Sequence, residues 1–206
     1  MPRGRFISLE GGEGVGKSTQ LSALAGLLRA RGLDVVTTRE PGGSEGAEMI
    51  RTLLLDGPED RWSPEAEALL FAAARADHVD KIIRPALEAG RWVLSDRFVD
   101  SSLAYQGGAG DLGIAAVRAI NGFGMGNWFP DRTLVLTLDE GSERARRRDG
   151  DTADRIGGRS ADYHAAVAAA FRQIAAVEPE RVRLVDASGT SAEVTARLAA
   201  ELADLL

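Results

Sequence analysis

A glycine-rich loop close to the start of the chain places the strongest constraint on its fold. The loop reads Gly11-Gly12-Glu13-Gly14-Val15-Gly16-Lys17-Ser18, fits G-x-x-x-x-G-K-[ST], and directly follows an apolar run at 6–9. Its glycines tolerate positive φ angles and carry no Cβ, so successive backbone N–H groups can converge on phosphate oxygens. Because strand, loop and helix occur in the required order, a chance glycine-rich turn is the weaker interpretation.

The residues that close the loop supply the rest of a triphosphate site. Lys17 brings mobile positive charge, and the hydroxyl of Ser18 is placed to hold Mg²⁺. A helix that opens at Gly16 directs the positive end of its dipole at the same phosphates. The predicted nucleoside-triphosphate site consists of Gly11, Gly12, Glu13, Gly14, Val15, Gly16, Lys17, Ser18 and Thr19.

Composition limits the partners of this site. The 206 residues are 44% hydrophobic, enough for the core of one domain with a small mobile insertion. A net charge of -6 argues against a non-specific nucleic-acid binder, since such proteins usually present a basic surface. The absence of cysteine excludes disulfides and zinc–thiolate sites and fits a reducing compartment. No apolar run is long enough to span a bilayer. We expect a cytoplasmic protein that binds neither nucleic acid nor membrane.

Hydrophobic periodicity predicts strands that alternate with helices. Such alternation is typical of a three-layer α/β fold around a mostly parallel sheet. The predicted strands span 6–9, 35–38, 92–95, 134–138 and 182–185. The predicted helices span 17–30, 44–55, 64–88, 112–122, 142–148, 161–177 and 191–205.

Polar residues follow two of these strands. Glu10 and the glycine-rich loop come after the first strand, and Asp96-Arg97 comes after the third. Ligands of open parallel sheets lie at the carboxyl ends of the strands, so both ends should line one site. Asp96 could bind Mg²⁺ directly or through water, although a helix cap is the plainer alternative. A guanidinium at Arg97 favours function, because it can grip a second phosphate with two hydrogen bonds.

Three further segments are ambiguous when each is taken alone. TREPGG at 38–43 could be only a turn, and SSLAYQG at 101–107 only a capped helical turn. Phe71 and Arg75 are four residues apart and share a helix face, where they could stack on a heterocycle and hydrogen-bond its carbonyl edge. The alternative is a core phenylalanine beside a surface arginine.

One charge-dense segment, at about 144–160, interrupts the apolar pattern. It is predicted to be a mobile arginine-rich lid over an anionic ligand, although a solvated charge run is the better interpretation for most of its arginines. These arginines are Arg144, Arg146, Arg147, Arg148, Arg155 and Arg159.

Together and in order, these segments resemble the thymidylate kinase family, of bacterial type, over nearly the whole chain. The most specific elements are TREPGG and the DR…S-x-x-AYQG combination at 96–107. They are accompanied by the phosphate loop and by LLFAAARADH at 69–78, PDRTLVLTLD at 130–139 and DRI at 154–156.

The resemblance implies both a fold and a reaction. The fold is the phosphate-loop NTPase type with a five-stranded parallel sheet flanked by helices, here as a single domain over 1–206 with the lid at about 144–160. The reaction transfers the γ-phosphoryl group of ATP to dTMP, giving dTDP and ADP in dTTP biosynthesis, and requires Mg²⁺. Members of the family are usually homodimers.

The resemblance also assigns roles to individual residues. Phe71 would stack on thymine, Arg75 would hydrogen-bond its O4, and Ser102 would meet another polar edge. Tyr105 would lie under the sugar, where a ribose 2′-OH would collide with it, and Glu13 would approach the 3′-OH. The full predicted acceptor set is Glu13, Arg39, Pro41, Arg51, Phe71, Arg75, Arg97, Ser101, Ser102, Tyr105 and Gln106.

The predicted catalytic residues are Lys17, Asp96, Arg97 and Arg155, with Ser18 and Asp96 as metal ligands. Arg97, helped by Arg39 or Arg51, would hold the acceptor phosphate in line with the γ-phosphate. A lid arginine would stabilise the transferring group, since position 13 carries an acid. Its candidates are Arg147, Arg148 and Arg155, although the Gly157-Gly158 pair departs from the acidic residues common in the family.

Some alternatives remain, and some residues receive no role. A kinase of another substrate, such as dUMP, dCMP or a nucleoside, is a close rival, because one methyl contact discriminates by only about 1–3 kcal/mol. A regulatory or scaffold protein without catalysis is a rival of another class. A switch GTPase is disfavoured because the chain has no N-K-x-D tetrapeptide. His78 and His164 have no metal or nucleophile pattern and are predicted to be structural.

Overall fold

The computed structural model describes residues 3–126, 128–138 and 155–206. Within these residues, five parallel strands form one sheet in the order β2-β3-β1-β4-β5, which confirms the predicted fold class. The strands are β1 (Phe6–Gly11), β2 (Val35–Arg39), β3 (Trp92–Asp96), β4 (Arg132–Thr137) and β5 (Val182–Asp186).

Helices cover both faces of this sheet. In the described residues they are α1 (Lys17–Ala30), α2 (Glu45–Leu55), α3 (Pro64–His78), α4 (Arg84–Glu88), α5 (Val99–Ser102), α6 (Ile114–Met125), α7 (Ala161–Val177) and α8 (Ser191–Ala200). Two π-helical segments, Val79–Ile83 and Leu103–Ala109, continue α3 and α5, and a short 3₁₀ turn spans Glu59–Arg61.

Successive residues of each strand point to opposite faces of the sheet, which produces two separate cores. Phe6 belongs to the core under α3, α6 and α7, whereas the next residue, Ile7, belongs to the core under α1 and α8. Val93 and Leu94 divide in the same way. The sheet is therefore buried on both faces, so a ligand can bind only at an edge of the sheet.

The strand register brings the functional strand ends together. Leu9 of β1 pairs with Asp96 of β3, and Arg39 of β2 pairs with the same residue on its other side. The glycine-rich loop, the TREPGG segment and Asp96-Arg97 therefore leave the sheet at one edge. This arrangement is the one predicted from the polar residues that follow the first and third strands.

The start of β4 differs from the prediction for a physical reason. β4 begins at Arg132, before the predicted start at 134, because Arg132 and Thr133 are buried although they are polar. The Nη1 and Nη2 groups of Arg132 donate to the carbonyl of Glu201 and to Asp204, contacts that no hydrophobic pattern reveals. The predicted helix at 64–88 is interrupted by the π-helical segment, and the predicted helix at 142–148 lies outside the described residues. No helix in the described ranges has the length and apolar character required to cross a bilayer.

Candidate active site

A cavity of about 510 Å³ opens at the carboxyl edge of β1, β2 and β3. Its volume lies within the range of about 300–1,000 Å³ that is usual for small-molecule sites. All eleven residues of the predicted acceptor set line it, together with Gly14, Gly16, Lys17, Ser18, Thr19 and Asp96 of the predicted phosphate and metal sites. Gly11, Gly12 and Val15 lie in the loop but not on the cavity wall. The structure thus brings the two predicted halves of the site into one space.

The phosphate loop has the backbone geometry that its glycines predict. Gly11 has a φ of 128°, and a Cβ there would lie 2.5 Å from the carbonyl oxygen of Leu136. Gly16, with a φ of 93°, precedes the first turn of α1. Lys17 Nζ donates to the carbonyl oxygens of Gly11 at 3.2 Å and Gly12 at 2.6 Å. Burial lowers the pKa of Lys17 to about 8, so its charge is retained at neutral pH and is available to a phosphate.

Ser18 and Asp96 meet next to this loop. Ser18 Oγ donates a hydrogen bond of 2.8 Å to Asp96 Oδ2 across the gap between α1 and β3. A hydroxyl and a carboxylate are oxygen ligands of the type that Mg²⁺ prefers, so these two residues could hold the ion. Asp96 does not cap a helix here, because α5 begins three residues later with Phe98 as its N-cap.

Arg97 lies between the two halves of the cavity. It adopts a left-handed backbone conformation with a φ of 68°, which costs free energy in a residue other than glycine and is common at functional sites. Its side chain donates to Glu13 Oε1 at 2.6 Å, to Ser101 Oγ at 3.1 Å and to the carbonyl of Gly11 at 3.1 Å. The guanidinium also lies 5.1 Å from the centre of the Tyr105 ring. A phosphate beside the loop would therefore meet a cation whose position is already set.

Arg75 forms the polar end of the acceptor half. Its side chain is 2% exposed and donates to Glu40 Oε2 at 2.7 Å, to Ser102 Oγ at 3.0 Å, to the carbonyl of Phe98 at 3.2 Å and to Asn121 Oδ1. These hydrogen bonds use four of the five N–H groups of a guanidinium. One N–H of Nη2 is left over among the described contacts, and Arg75 lines the cavity.

An apolar wall faces this polar end. Leu55, Phe71 and Ile156 line the cavity, and Tyr105 is nearly buried beside it. A flat aromatic surface next to a guanidinium suits a heterocyclic base that carries a carbonyl group. The predicted pairing of Phe71 with Arg75 at one helix face is thus present in the structure.

Two further arginines lie at the mouth of the cavity. Arg51 Nη1 donates to the carbonyl of Pro41 at 2.6 Å, and Arg39 Nη2 contacts both carboxylate oxygens of Glu48 at 3.1 Å. The Arg39–Glu48 pair is largely exposed, and such pairs contribute little to stability. The Arg39 guanidinium is therefore available to an incoming anion at little energetic cost.

Comparison with known proteins identifies the family of this site. The sequence model of the thymidylate kinase family matches residues 9–198. The chain belongs to the thymidylate kinase family. It is 60% identical over 205 residues to the thymidylate kinase of Rhizorhabdus wittichii, with 98% of this chain and 99% of the relative covered. It is 47% identical to the thymidylate kinase of Caulobacter vibrioides, with 96% and 95% covered.

A solved structure agrees with this assignment. The crystal structure of thymidylate kinase from Ehrlichia chaffeensis superposes with a TM-score of 0.78 at 29% sequence identity, covering 98% of this chain and all of the other. The chain is accordingly a kinase, an ATP-dependent phosphotransferase.

One predicted catalytic residue of this kinase is not on the cavity wall. Arg155 is buried and donates to Glu67 Oε2 at 2.6 Å and to the carbonyls of Leu54 and Glu59 at 2.8 and 3.0 Å. Its neighbour Ile156 reaches the cavity, but the Arg155 guanidinium is engaged with α3 and the residues around it. In this structure Arg155 anchors its segment to α3, with its cation neutralised by Glu67, and its catalytic role stays a prediction. Arg147 and Arg148, the other candidates, lie outside the described residues.

Several residues that support the cavity by hydrogen bonds have no role predicted from the sequence. Glu40 lies inside the quoted TREPGG motif, so the motif carried a signal for it. No sequence motif marks Asn121 or Glu67. Asn121 contacts Arg75 from α6, and Glu67 accepts hydrogen bonds from Gln106 and Arg155. These contacts join residues that are 39 to 88 positions apart in sequence.

Glu10, near the end of β1, also supports the site through hydrogen bonds to the residues after Arg97. Its side chain is fully buried and accepts hydrogen bonds from the Phe98 backbone N–H at 2.7 Å and from Ser101 Oγ at 2.6 Å. Both residues follow Arg97 closely in the chain, and Ser101 Oγ also accepts from the Arg97 guanidinium. Burial, together with the nearby charge of Asp100, raises the pKa of Glu10 to about 8.

This raised pKa predicts a specific pH dependence of stability. Between pH 4.5 and about 8, folded Glu10 holds a proton that the unfolded chain has released. Stability therefore falls as pH rises through that window, because the native state binds more protons. Glu10→Gln should flatten this part of the profile, measured as melting temperature against pH. A variant whose profile keeps the wild-type slope would contradict the assignment to Glu10.

Proposed function

We propose that this cavity is where the kinase carries out its reaction, with ATP on the phosphate loop and dTMP at the Phe71–Arg75 end. The enzyme transfers the γ-phosphoryl group of ATP to dTMP and gives dTDP and ADP, the reaction of the family to which it belongs. The observation that supports this placement is the single cavity that joins Lys17 at one end to Arg75 at the other, with Arg97 between them.

At the acceptor end, the base lies against Phe71 and meets the remaining N–H of Arg75 through its 4-carbonyl. Ser102, which already accepts from Arg75, offers its hydroxyl to another polar edge of the base. Tyr105 packs under the sugar and leaves no room for a ribose 2′-OH. Glu13, which is partly exposed beside Arg97, approaches the sugar 3′-OH.

Phosphoryl transfer depends on alignment of the two substrates and on neutralisation of phosphate charge more than on proton transfer. The acceptor is already an anionic phosphate oxygen, so no general base is needed, and the barrier is lowered by alignment and charge neutralisation. Lys17 neutralises the donor phosphates, and Arg97 grips the acceptor phosphate, with Arg39 and Arg51 at the cavity mouth. Arg147, Arg148 and Arg155 remain the candidates for an inserted transition-state cation, on the resemblance alone.

The residues present fit the Mg²⁺ that kinases use. Ser18 and Asp96 already share a hydrogen bond of 2.8 Å, and both present oxygen to the phosphate loop. Held by these two residues, Mg²⁺ would supply positive charge against the charge that develops during transfer. We assign Ser18 as a direct ligand and Asp96 as a ligand that acts directly or through water.

A coupled assay of ADP release tests the substrate assignment. ATP and Mg²⁺ would be combined in turn with dTMP, dUMP, dCMP, UMP and thymidine. We expect dTMP to be used best, dUMP to be used more weakly because it lacks one methyl contact, and activity to disappear with EDTA. Equal rates with dTMP and UMP would refute the acceptor assignment, and ATP binding without any turnover would favour a non-catalytic role.

We further propose that the whole chain acts as one domain and that two copies associate. Large apolar side chains are exposed on three neighbouring helices: Met49 and Leu53 on α2, Leu69 on α3 and Phe123 on α6. Phe123 is 97% exposed, and an apolar patch of this kind marks an interface. Sedimentation equilibrium should report twice the chain mass, and a monomer would overturn the proposal.

The acidic, cysteine-free composition supports action in the cytoplasm.

A further inference from the structure

A buried chain of hydrogen bonds leads from the base end of the cavity to a histidine that was predicted to be merely structural. Arg75 Nε donates to Glu40 Oε2 at 2.7 Å, and the other carboxylate oxygen, Oε1, lies 2.9 Å from His78 Nδ1. His78 Nε2 is in turn 2.7 Å from Thr38 Oγ1 on β2. The side chains of His78, Arg75 and Glu40 are all at most 5% exposed.

The geometry of this chain follows from helix periodicity and from one glycine. Arg75 and His78 are three residues apart on α3, so they present their side chains on the same face toward Glu40. Gly43 makes room for the ring: a Cβ at this position would lie within 2.6 Å of Thr38 Oγ1 and closer still to His78 Nε2. The second glycine of TREPGG is therefore needed for packing of the histidine as well as for the turn.

Each carboxylate oxygen of Glu40 thus has its own donor. The torsion of a glutamate carboxylate about its last bond is broad, so two donors are needed to hold the plane of the group. Without the N–H of His78, Oε1 would be buried without a donor from this helix, and the carboxylate could rotate away from Arg75 Nε. A buried acceptor left unsatisfied is costly, and its neighbours rearrange to reach it.

We propose that His78 is a positioning residue for the acceptor base: it orients Glu40, and Glu40 orients the Arg75 guanidinium that reads the base. His78 donates from Nδ1 to the carboxylate and accepts from, or donates to, Thr38 through Nε2. It does not contact the substrate. This inference rests on the proposed placement of dTMP beside Arg75.

Two amide variants distinguish the hydrogen bond made by Nδ1 of His78 from the one made by Nε2. In His78→Asn the amide N–H lies near the position of Nδ1 and can still donate to Glu40, whereas in His78→Gln the amide reaches toward Thr38. We expect His78→Gln to raise both the Kd and the KM for dTMP about tenfold, the lower end of the effect of losing a charged hydrogen bond. His78→Asn should recover most of the affinity. The KM for ATP and the kcat should change less than about twofold, because the phosphate end is untouched.

Base selectivity provides a readout that a loss of folding would not mimic. Cytosine carries an amino group where thymine carries its 4-carbonyl, so a poorly oriented Arg75 should discriminate less between dTMP and dCMP. His78→Gln should lower the ratio of kcat/KM for dTMP to kcat/KM for dCMP, and His78→Asn should preserve that ratio. Thr38→Val, which keeps the volume of the side chain and removes only the contact to Nε2, should raise the KM for dTMP in the same direction by a smaller factor.

The outcomes distinguish this inference from the proposed function. Wild-type protein is first titrated with dTMP by calorimetry, and a failure to bind dTMP overturns both proposals. Binding without turnover overturns the proposed function only, since the variants can still be compared by their Kd. Equal dTMP affinity in wild type and His78→Gln, equal loss in both amide variants, or a parallel rise in the KM for ATP overturns the role of His78.

Discussion

Replacing Lys17 by alanine is expected to lower kcat by about 10³-fold, equivalent to roughly 4 kcal/mol of barrier. The buried ammonium contacts the loop carbonyls of Gly11 and Gly12, and phosphates of ATP would take over these interactions. No other described lysine lines the cavity. Steady-state kinetics with ATP and dTMP measures the effect, and Lys81→Ala, which changes an exposed lysine paired with Asp77, serves as the control with unchanged activity.

The same side chain predicts how ATP binding depends on pH. Because burial lowers the pKa of Lys17 to about 8, the unliganded protein loses this charge as pH rises above that value. The affinity for ATP should therefore decrease above pH 8, measured by calorimetry. Lys17→Arg, which stays charged, should lose this decrease even though its larger head fits the loop less well. A Lys17→Ala variant within tenfold of wild-type kcat would contradict the assigned role.

The second large effect is expected on stability. Arg155→Ala removes one cation from the fully buried carboxylate of Glu67, which also accepts from Arg159 and Gln106. Breaking a buried ion pair costs about 3–5 kcal/mol, and the remaining donors place this case near the lower value. For a chain of this size, about 3 kcal/mol corresponds to a fall of roughly 6–12 °C in melting temperature.

A matched variant makes this prediction discriminating. Arg159→Ala acts on the same Glu67 oxygen, but the Arg159 side chain is partly exposed and should cost less. Differential scanning fluorimetry measures both. An unchanged melting temperature for Arg155→Ala, combined with a large fall in kcat, would instead support the transition-state role that the sequence suggested for this arginine.

The contrast between Arg97 and Arg155 shows where sequence interpretation succeeds. Arg97 directly follows the end of a buried strand, and parallel strand ends meet at one edge, so its position follows from strand order alone. Arg155 lies in the charge-dense segment at about 144–160, which has no periodicity. Its partners, Leu54, Glu59 and Glu67, come from α2, the 3₁₀ turn and α3, about 90 to 100 residues away in sequence. No local pattern encodes such contacts.

Burial of polar side chains is the other feature that local patterns miss. Arg132 and Thr133 open β4 although they are polar, and His78 is completely buried although it has no metal or nucleophile pattern around it. Each is tolerated because a partner from another element satisfies it: Asp204 for Arg132, and Glu40 for His78. A hydrophobic pattern predicts that such groups are exposed, because burying them without a partner costs free energy. It does not reveal the distant partner that makes burial possible.

By itself the sequence determined the parallel α/β fold, the phosphate loop and most of the residues that line the cavity, because these depend on periodicity and on short motifs at strand ends. Only the tertiary structure decided how the acceptor end is held. It joins Thr38, His78, Glu40 and Arg75 into one buried chain and directs Arg155 to Glu67. The physical reason is that a buried charge selects its partner by proximity in the folded state, and proximity across separate elements is set by packing rather than by spacing along the chain.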